Sequence, residues 1–168
     1  MSRPIDKLEF WKSRIDSSGE NNKHHSVYRC DNQLWTMLEN HHVRQIKKFV
    51  SPTDKVLDAA CGYGRMAKYF NRENYTGIDF SPDFIDLASK QFSDYKFIVA
   101  DLKNLPFEDK QFDWCFGVSI KAMIIRELGN DQWLKMEQEI RRVSKKIIFL
   151  EYSDGRGNHL KDNYEVIE

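Results

Sequence analysis

The sequence predicts an α/β fold, a doubly wound and mostly parallel sheet of about five strands preceded by N-terminal helices. Three observations carry this expectation. From Lys55 onward, short apolar runs alternate with segments of helical periodicity. Acidic or glycine-bearing turns follow the first three of those runs, and Ser81-Pro82 forms a strong helix start, a serine cap with proline at the first helical position. Finally, 168 residues with 40% hydrophobic and 31% charged side chains suit a single globular domain able to bury its own core.

The elements follow in order. Residues 1–52 lack strand signals and form an N-terminal helical segment, read as a lid over the domain at 53–168. Pro4 opens a short helix with Ile5, Leu8, Trp11 and Ile15 on one face, and the polar stretch at 17–26 reads as a loop. A second helix begins near Asp31 and presents Leu34, Leu38, His41, Gln45 and Phe49 along one side. It stops at Ser51-Pro52, because proline disfavours helical geometry in the residue before it. Lys55–Ala59 is the first strand, and Arg65–Phe70 starts a helix after a glycine-containing turn. Tyr75–Ile78 is the second strand, followed by a helix that buries Phe84, Ile85, Ala88 and Phe92. Strands three to five are Phe97–Ala100, Phe112–Val118 and Lys146–Tyr152, with a helix from Asp131 to Val143 between the last two. Such alternation implies right-handed crossovers and helices on the faces of the sheet.

Charge and cysteine content narrow the function. A net charge of zero argues against affinity drawn mainly from a nucleic-acid backbone, although a local basic patch stays open. The start, MSRPIDKLEF, has no apolar run fit for a signal peptide, and no segment is long enough to cross a bilayer. Cys30, Cys61 and Cys115 lie far apart without metal-type spacing, which suits free thiols in a reducing, cytoplasmic setting.

In open α/β sheets ligands bind beyond the carboxyl ends of the strands, where strand order reverses. The informative residues fall there. Gly62 and Gly64 let the backbone turn sharply and approach a ligand closely. Gly62–Ala67 alone also satisfies the dinucleotide pattern G-x-G-x-x-G/A, and a tight structural turn would explain the same glycines. The charge beside them discriminates: Asp58 would oppose a pyrophosphate but favour a ligand bearing a sulfonium and an ammonium. A nicotinamide-dependent enzyme is disfavoured by that carboxylate and by the short chain. Asp79 ends the second strand where an acidic residue accepts from ribose hydroxyls, and Phe80 is placed either to cover an adenine face or to fill the core. Asp101 and Leu102 follow strand three, where a carboxylate can accept from an adenine amino group.

Together VLDAACGYGRMAKYF, YTGIDFSPDFIDLA and FIVADLKNLPFEDKQFDWCFGVS resemble the class I (Rossmann-like) S-adenosylmethionine-dependent methyltransferases over roughly residues 53–152. The resemblance implies S-adenosyl-L-methionine as cofactor, with Asp58, Gly62 and Gly64 around its methionine moiety, Asp79 at the ribose, Asp101 with Leu102 at the adenine, and Ala60, Phe80 and Ser119 as further cofactor-binding positions. Phe107, Phe112 and Asp113 match the lead into strand four and are structural. Two departures stand out. Ala60 occupies a position where the family usually has glycine, and about 15 residues after strand five leave the family's C-terminal strands apparently missing. Strand five is then an edge, to be covered by the N-terminal helices, by Tyr164–Ile167 as a short strand, or by a second subunit in a homodimer.

The implied activity is methyl transfer to a small-molecule acceptor, with RNA or protein acceptors left open and cofactor binding without turnover as the alternative. Residues facing the methyl should follow strand four (Ser119, Ile120, Lys121, Met123) and strand five (Glu151, Tyr152), with His24, His25, Tyr28 and Arg29 from the lid. Lys121, His25 and Tyr28 are the catalytic candidates, weighed against solvated roles for each. His24-His25 and His41-His42 make a poor metal site, since adjacent histidines rarely point at one ion. Arg141, Arg142, Lys145 and Lys146 form a basic cluster that a solvated helix end explains.

Overall fold

A computed structural model describes residues 32–151 and 164–168. The first predicted helix, the loop at 17–26, His24, His25, Tyr28, Arg29 and Tyr152 lie outside the described residues.

The described chain begins with α1 (Asn32–Ile46) and continues through β1 (Val56–Ala59), a 3-10 turn (Ala67–Tyr69), β2 (Tyr75–Asp79) and α2 (Pro82–Gln91). β3 (Lys96–Val99), β4 (Phe112–Val118), α3 (Ile120–Leu128), α4 (Asn130–Val143), β5 (Ser144–Leu150) and β6 (Tyr164–Ile167) follow. One six-stranded sheet runs in the order β3-β2-β1-β4-β5-β6, parallel through β5, and strand order reverses between β1 and β4. The interior strands β1 and β2 are buried at every residue, as expected for parallel strands covered on both faces.

Alternate residues feed opposite sides of the sheet. Leu57, Ala59, Cys115, Ile147 and Phe149 pack with Trp133, Ile140 and Val143 of α4 and its junction with β5. Val56, Trp114, Phe116, Ile148 and Leu150 pack with Val43 and Ile46 of α1. α1 therefore shares the core of the sheet domain. Among the described residues no helix is long and apolar enough to cross a membrane.

Three expectations are corrected. The helix predicted from Arg65 is a run of i→i+3 turns, Ala67 N–H to Gly64 O (3.0 Å), Tyr69 to Met66 (3.1 Å) and Phe70 to Ala67 (3.0 Å), closing as one 3-10 turn. Asn71 ends it by starting its own turn, with its carbonyl accepting from Asn74 N–H, so the segment is too short to propagate an α-helix. A helix absent from the sequence reading, α3, fills 120–128, burying Ile120 and Ile124 one turn apart and ending at Gly129, whose φ is 90°. β5 begins two residues early, at Ser144, because α4 passes into it without a loop. The sheet has six strands, the sixth being Tyr164–Ile167, one of the three covers expected for strand five. β6 pairs antiparallel with β5, with Ile147 opposite Ile167 and Leu150 opposite Tyr164. β5 is thus covered by the chain's own tail, and a homodimer through an open fifth strand loses its premise.

Candidate functional site

The site forms where β1 and β4 diverge. The backbone leaves β1 through residues of positive φ: Ala60 at 60°, Gly62 at 55° and Gly64 at 77°. A Cβ on Gly64 would stand 2.7 Å from the Phe97 ring, so both the dihedral and the space require glycine there. Cys61 N–H donates to Ile78 O (2.8 Å), tying the turn to β2. Asp79, at the end of β2, closes the arrangement by accepting from Gly62 N–H through Oδ2 and from Ser81 N–H through Oδ1, each at 3.0 Å. The next strand is tied in as well, by Ala100 N–H to Asp79 O (2.9 Å).

Both acids are buried. Burial pushes the Asp58 carboxyl up to about 7, against the opposing hydrogen bond from Tyr75 and the Arg65 charge. The Tyr75 hydroxyl donates to Asp58 Oδ2 at 2.6 Å. Burial likewise raises Asp79 to about 6, opposed by the amides it accepts from. Phe80, by contrast, is 41% exposed, which removes the core reading and leaves its ring on the open side of the turn. Asp101 is exposed just past β3, where Oδ1 accepts from Lys103 N–H (2.9 Å), and Leu102 is half-buried against the core. Phe107 meets Phe112 edge-on at 4.9 Å, a structural contact.

Beyond β4, Ser119 has φ 57° and donates its N–H to Leu150 O (2.6 Å), turning the chain into α3. Glu151 accepts from Ala122 N–H near the start of α3 (3.1 Å), and burial raises its carboxyl. Ile120 is a core residue and Met123 packs against that core. The Lys121 ammonium pairs with Glu165 of β6 and lies 6.0 Å from the Trp133 and Phe149 ring centroids. The four cations of the basic cluster all carry carboxylates: Arg141 with Glu137, Arg142 with Glu139 and Asp109, Lys145 with Asp113, Lys146 with Glu168.

The cleft at the turn is lined by Asp58, Ala60, Cys61, Gly62, Tyr63, Arg65, Met66 and Val118. Its buried Asp58 carboxyl suits a cationic ligand, and its positive-φ turn admits close backbone approach, so the residues fit S-adenosylmethionine better than a dinucleotide. Three contributors escaped the sequence reading. Arg65 lies in the cleft, Tyr75 grips Asp58 from β2, and Glu39 of α1 accepts from the Tyr69 hydroxyl (2.6 Å) and pairs with Lys68 (2.7 Å). Only Arg65 had a signal, its place directly after the second glycine. His42, also on α1, is buried and held down to about 3 by burial, with Arg65 and His41 adding to the effect.

Comparison with known proteins bears on this geometry. The methyltransferase-domain family matches residues 56–146, more than half of the chain. A demethylmenaquinone methyltransferase of Thermotoga maritima is 42% identical over 64 residues, covering 36% of this chain and 28% of that protein. A Bacillus subtilis protein named as a 23S rRNA (guanine-N(1)-)-methyltransferase is 39% identical over 89 residues, 47% of this chain and 32% of its own length. The chain thus spans about a third or less of these curated relatives. Among solved structures, Haemonchus contortus phosphoethanolamine N-methyltransferase 1, crystallised with phosphoethanolamine and S-adenosylhomocysteine, superposes with a TM-score of 0.66 at 19% identity. It covers 92% of this chain and 34% of that one, a likeness of fold.

Proposed function

The chain belongs to the methyltransferase-domain family, and from that premise we propose that it binds S-adenosyl-L-methionine at the β1–β2 turn and transfers its methyl group to a small-molecule acceptor. The observation that carries this reading is the pair of buried carboxylates, Asp58 and Asp79, at the ends of adjacent strands around a turn with φ positive at Ala60, Gly62 and Gly64. Asp79 accepts the ribose hydroxyls, Phe80 and Leu102 flank the adenine, and Asp101 accepts from its amino group. Asp58, Ala60, Gly62, Gly64 and Ser119 surround the methionine end. The cofactor, when bound, supplies an electrophilic methyl on its sulfonium. What the chain contributes is alignment of an in-line displacement, since near-attack positioning is the main source of rate for such a step.

Acceptor contacts fall to the segment after β4 and β5. Lys121 and Glu151 are the charged groups there among the described residues, with His25 and Tyr28 as candidates from the N-terminal segment. Lys121 would have to leave Glu165 to act as a base, which favours a role in holding an anionic acceptor. A second reading, an RNA acceptor, is favoured by the similarity to the protein named for rRNA guanine methylation. Incubation with methyl-labelled cofactor tests both. We expect S-adenosylhomocysteine release and label in a small-molecule extract; label in added RNA instead would select the second reading. Cofactor binding with no release from any acceptor would contradict methyl transfer.

A further inference from the structure

Asp58 is held from one strand away. It lines the cleft yet is only 3% exposed, and its Oδ2 accepts from the hydroxyl of Tyr75, itself 1% exposed, at 2.6 Å. Register explains the reach. Asp58, Gly77 and Phe97 stand in one row across β1, β2 and β3, with Tyr75 two residues before Gly77 on the same side of β2. Gly77 has no side chain to intervene, and the Phe97 ring fills the space it leaves, since a Cβ there would stand 2.7 Å from that ring. The Tyr75 ring packs against three others, stacked on Phe70 (5.9 Å, 27°) and edge-on to Tyr95 (5.7 Å, 86°) and Phe97 (5.9 Å, 71°). Phe97 also abuts the space beside Gly64, so one aromatic cluster supports both the tyrosine and the glycine turn. A ring packed in this way leaves its hydroxyl little freedom to donate elsewhere.

We propose that Tyr75 is a positioning residue of the cofactor site, fixing the Asp58 carboxylate so that it receives the cationic end of S-adenosylmethionine. This rests on the cofactor assignment made above and deepens it by naming the group that keeps Asp58 receptive. A donated hydrogen bond favours the ionised carboxyl, whereas burial disfavours it. Of the groups facing Asp58, Tyr75 and Asp79 come from β2, Arg65 and Cys61 from the turn, and Cys115 from β4, while α1 adds His42, which faces Arg65. Burial and the Asp58 charge push the Tyr75 hydroxyl well above its ordinary value, so it remains a donor, and burial likewise keeps both thiols protonated. Burial holds Asp58 up at about 7 and Asp79 at about 6, and leaves His42 neutral, held down to about 3. The Tyr75 bond is the largest influence opposing burial at Asp58. Without it the carboxyl takes on its charge only at higher pH.

Titration calorimetry from pH 6 to 9 with S-adenosylmethionine, and with methylthioadenosine as a reference, tests the role. The reference keeps the adenosine but has neither the sulfonium nor the amino acid. Dividing by its affinity at each pH therefore removes the contribution of Asp79 and reports on Asp58. The wild-type ratio should rise at least about fivefold between pH 6 and 7.5, as Asp58 ionises. In Tyr75→Phe the ratio should lie at least about fivefold below wild type at pH 6.5 and come within about twofold of it at pH 9. A bond to a charged group moves such a titration by about one pH unit or more. Binding of the reference by the variant shows that it is folded. A gap that is the same at every pH reduces Tyr75 to packing and overturns the proposal, as does no gap at all. If the variant does not fold, the wild-type profile decides on its own, and a level ratio overturns the proposal. Failure of the wild type to bind either ligand at any pH overturns the cofactor assignment itself, and this inference falls with it.

Discussion

Ala60 holds φ at 60°, a conformation that costs an L-residue roughly 1–2 kcal/mol and that glycine adopts freely. The departure from the family's usual glycine is therefore accommodated by strain and not by a different turn, since Gly62 and Gly64 keep their positive φ and Asp79 still grips Gly62 N–H. Ala60→Gly should stabilise the ligand-free protein by up to about 1 kcal/mol, the relief of strain exceeding the entropy that glycine adds to the unfolded chain. A higher urea midpoint checks this; a lower one would mean that the Ala60 methyl packs well enough to outweigh its dihedral. At this scale the sequence was readable for carboxylates and glycines that follow strands, because position along the chain alone places them at the ligand end of the sheet. It was not readable for Tyr75, whose hydroxyl reaches Asp58 only because β2 pairs with β1 in one register, Asp58 opposite Gly77. Residue type could not foretell that pairing.

Among the elements, α1 meets the cofactor turn through apolar packing and through Glu39. Glu39 is buried, accepts from Tyr69 on the 3-10 turn, and pairs with half-exposed Lys68. Removing it leaves the half-buried Tyr69 hydroxyl without this acceptor and the exposed Lys68 ammonium without this carboxylate, a loss of about 1 kcal/mol. Glu39→Ala should thus lower the unfolding midpoint and speed amide exchange over residues 65–70. A folded variant with unchanged exchange there would detach α1 from the control of the turn. Helix α2 was legible, with Ser81 capping Phe84 N–H (3.4 Å) and Phe84, Ile85 and Ala88 buried as the periodicity required, although Phe92 falls just past the helix end and is only half-buried. The segment after Gly64 was not, because MAKYF has helical composition and only the following Asn71 turn cuts it short. α3 escaped because IKAMIIREL, six apolar residues in nine, follows β4 directly, and in so short a run a buried helix and a loop into the site were not separable by pattern.

For the whole molecule, the parallel sheet followed from the alternation of runs, while its strand order, with the reversal between β1 and β4, is known from the structure alone, and the placement of β6 depended on a four-residue pairing that sequence could only suggest. The buried acids also set a pH dependence of the fold. The Asp58 carboxyl sits near 7 in the folded state against an ordinary 3.8, and Asp79 near 6, so the folded protein keeps protons that the unfolded chain has already released. Their contribution is full below about pH 3.8 and is lost as pH rises through 6 to 7. His42 works in the opposite sense, held near 3 against 6.5, but above pH 6.5 it is neutral in both states. Asp113 and Glu139, lowered by Lys145 and Arg142 respectively, are ionised throughout that range, and Glu151, raised by burial, adds to the effect of the two acids. Melting of the ligand-free protein should therefore shift downward between about pH 6.5 and 8, and bound cofactor should offset the shift by favouring ionised Asp58. A melting temperature that stays level over that range would show that Asp58 is already ionised at the lower pH.

The central claim is that Asp58, Asp79 and the turn between them form a site for S-adenosylmethionine. Calorimetric titration with S-adenosylmethionine, S-adenosylhomocysteine and NADH, on the wild type and on Asp79→Asn, tests it most directly. The account predicts affinity on the order of micromolar for the first two ligands, none for NADH, and at least a tenfold loss in the folded variant, about 1.4 kcal/mol or more. Binding of NADH with neither adenosyl ligand bound, or an Asp79→Asn protein with undiminished affinity, would contradict it.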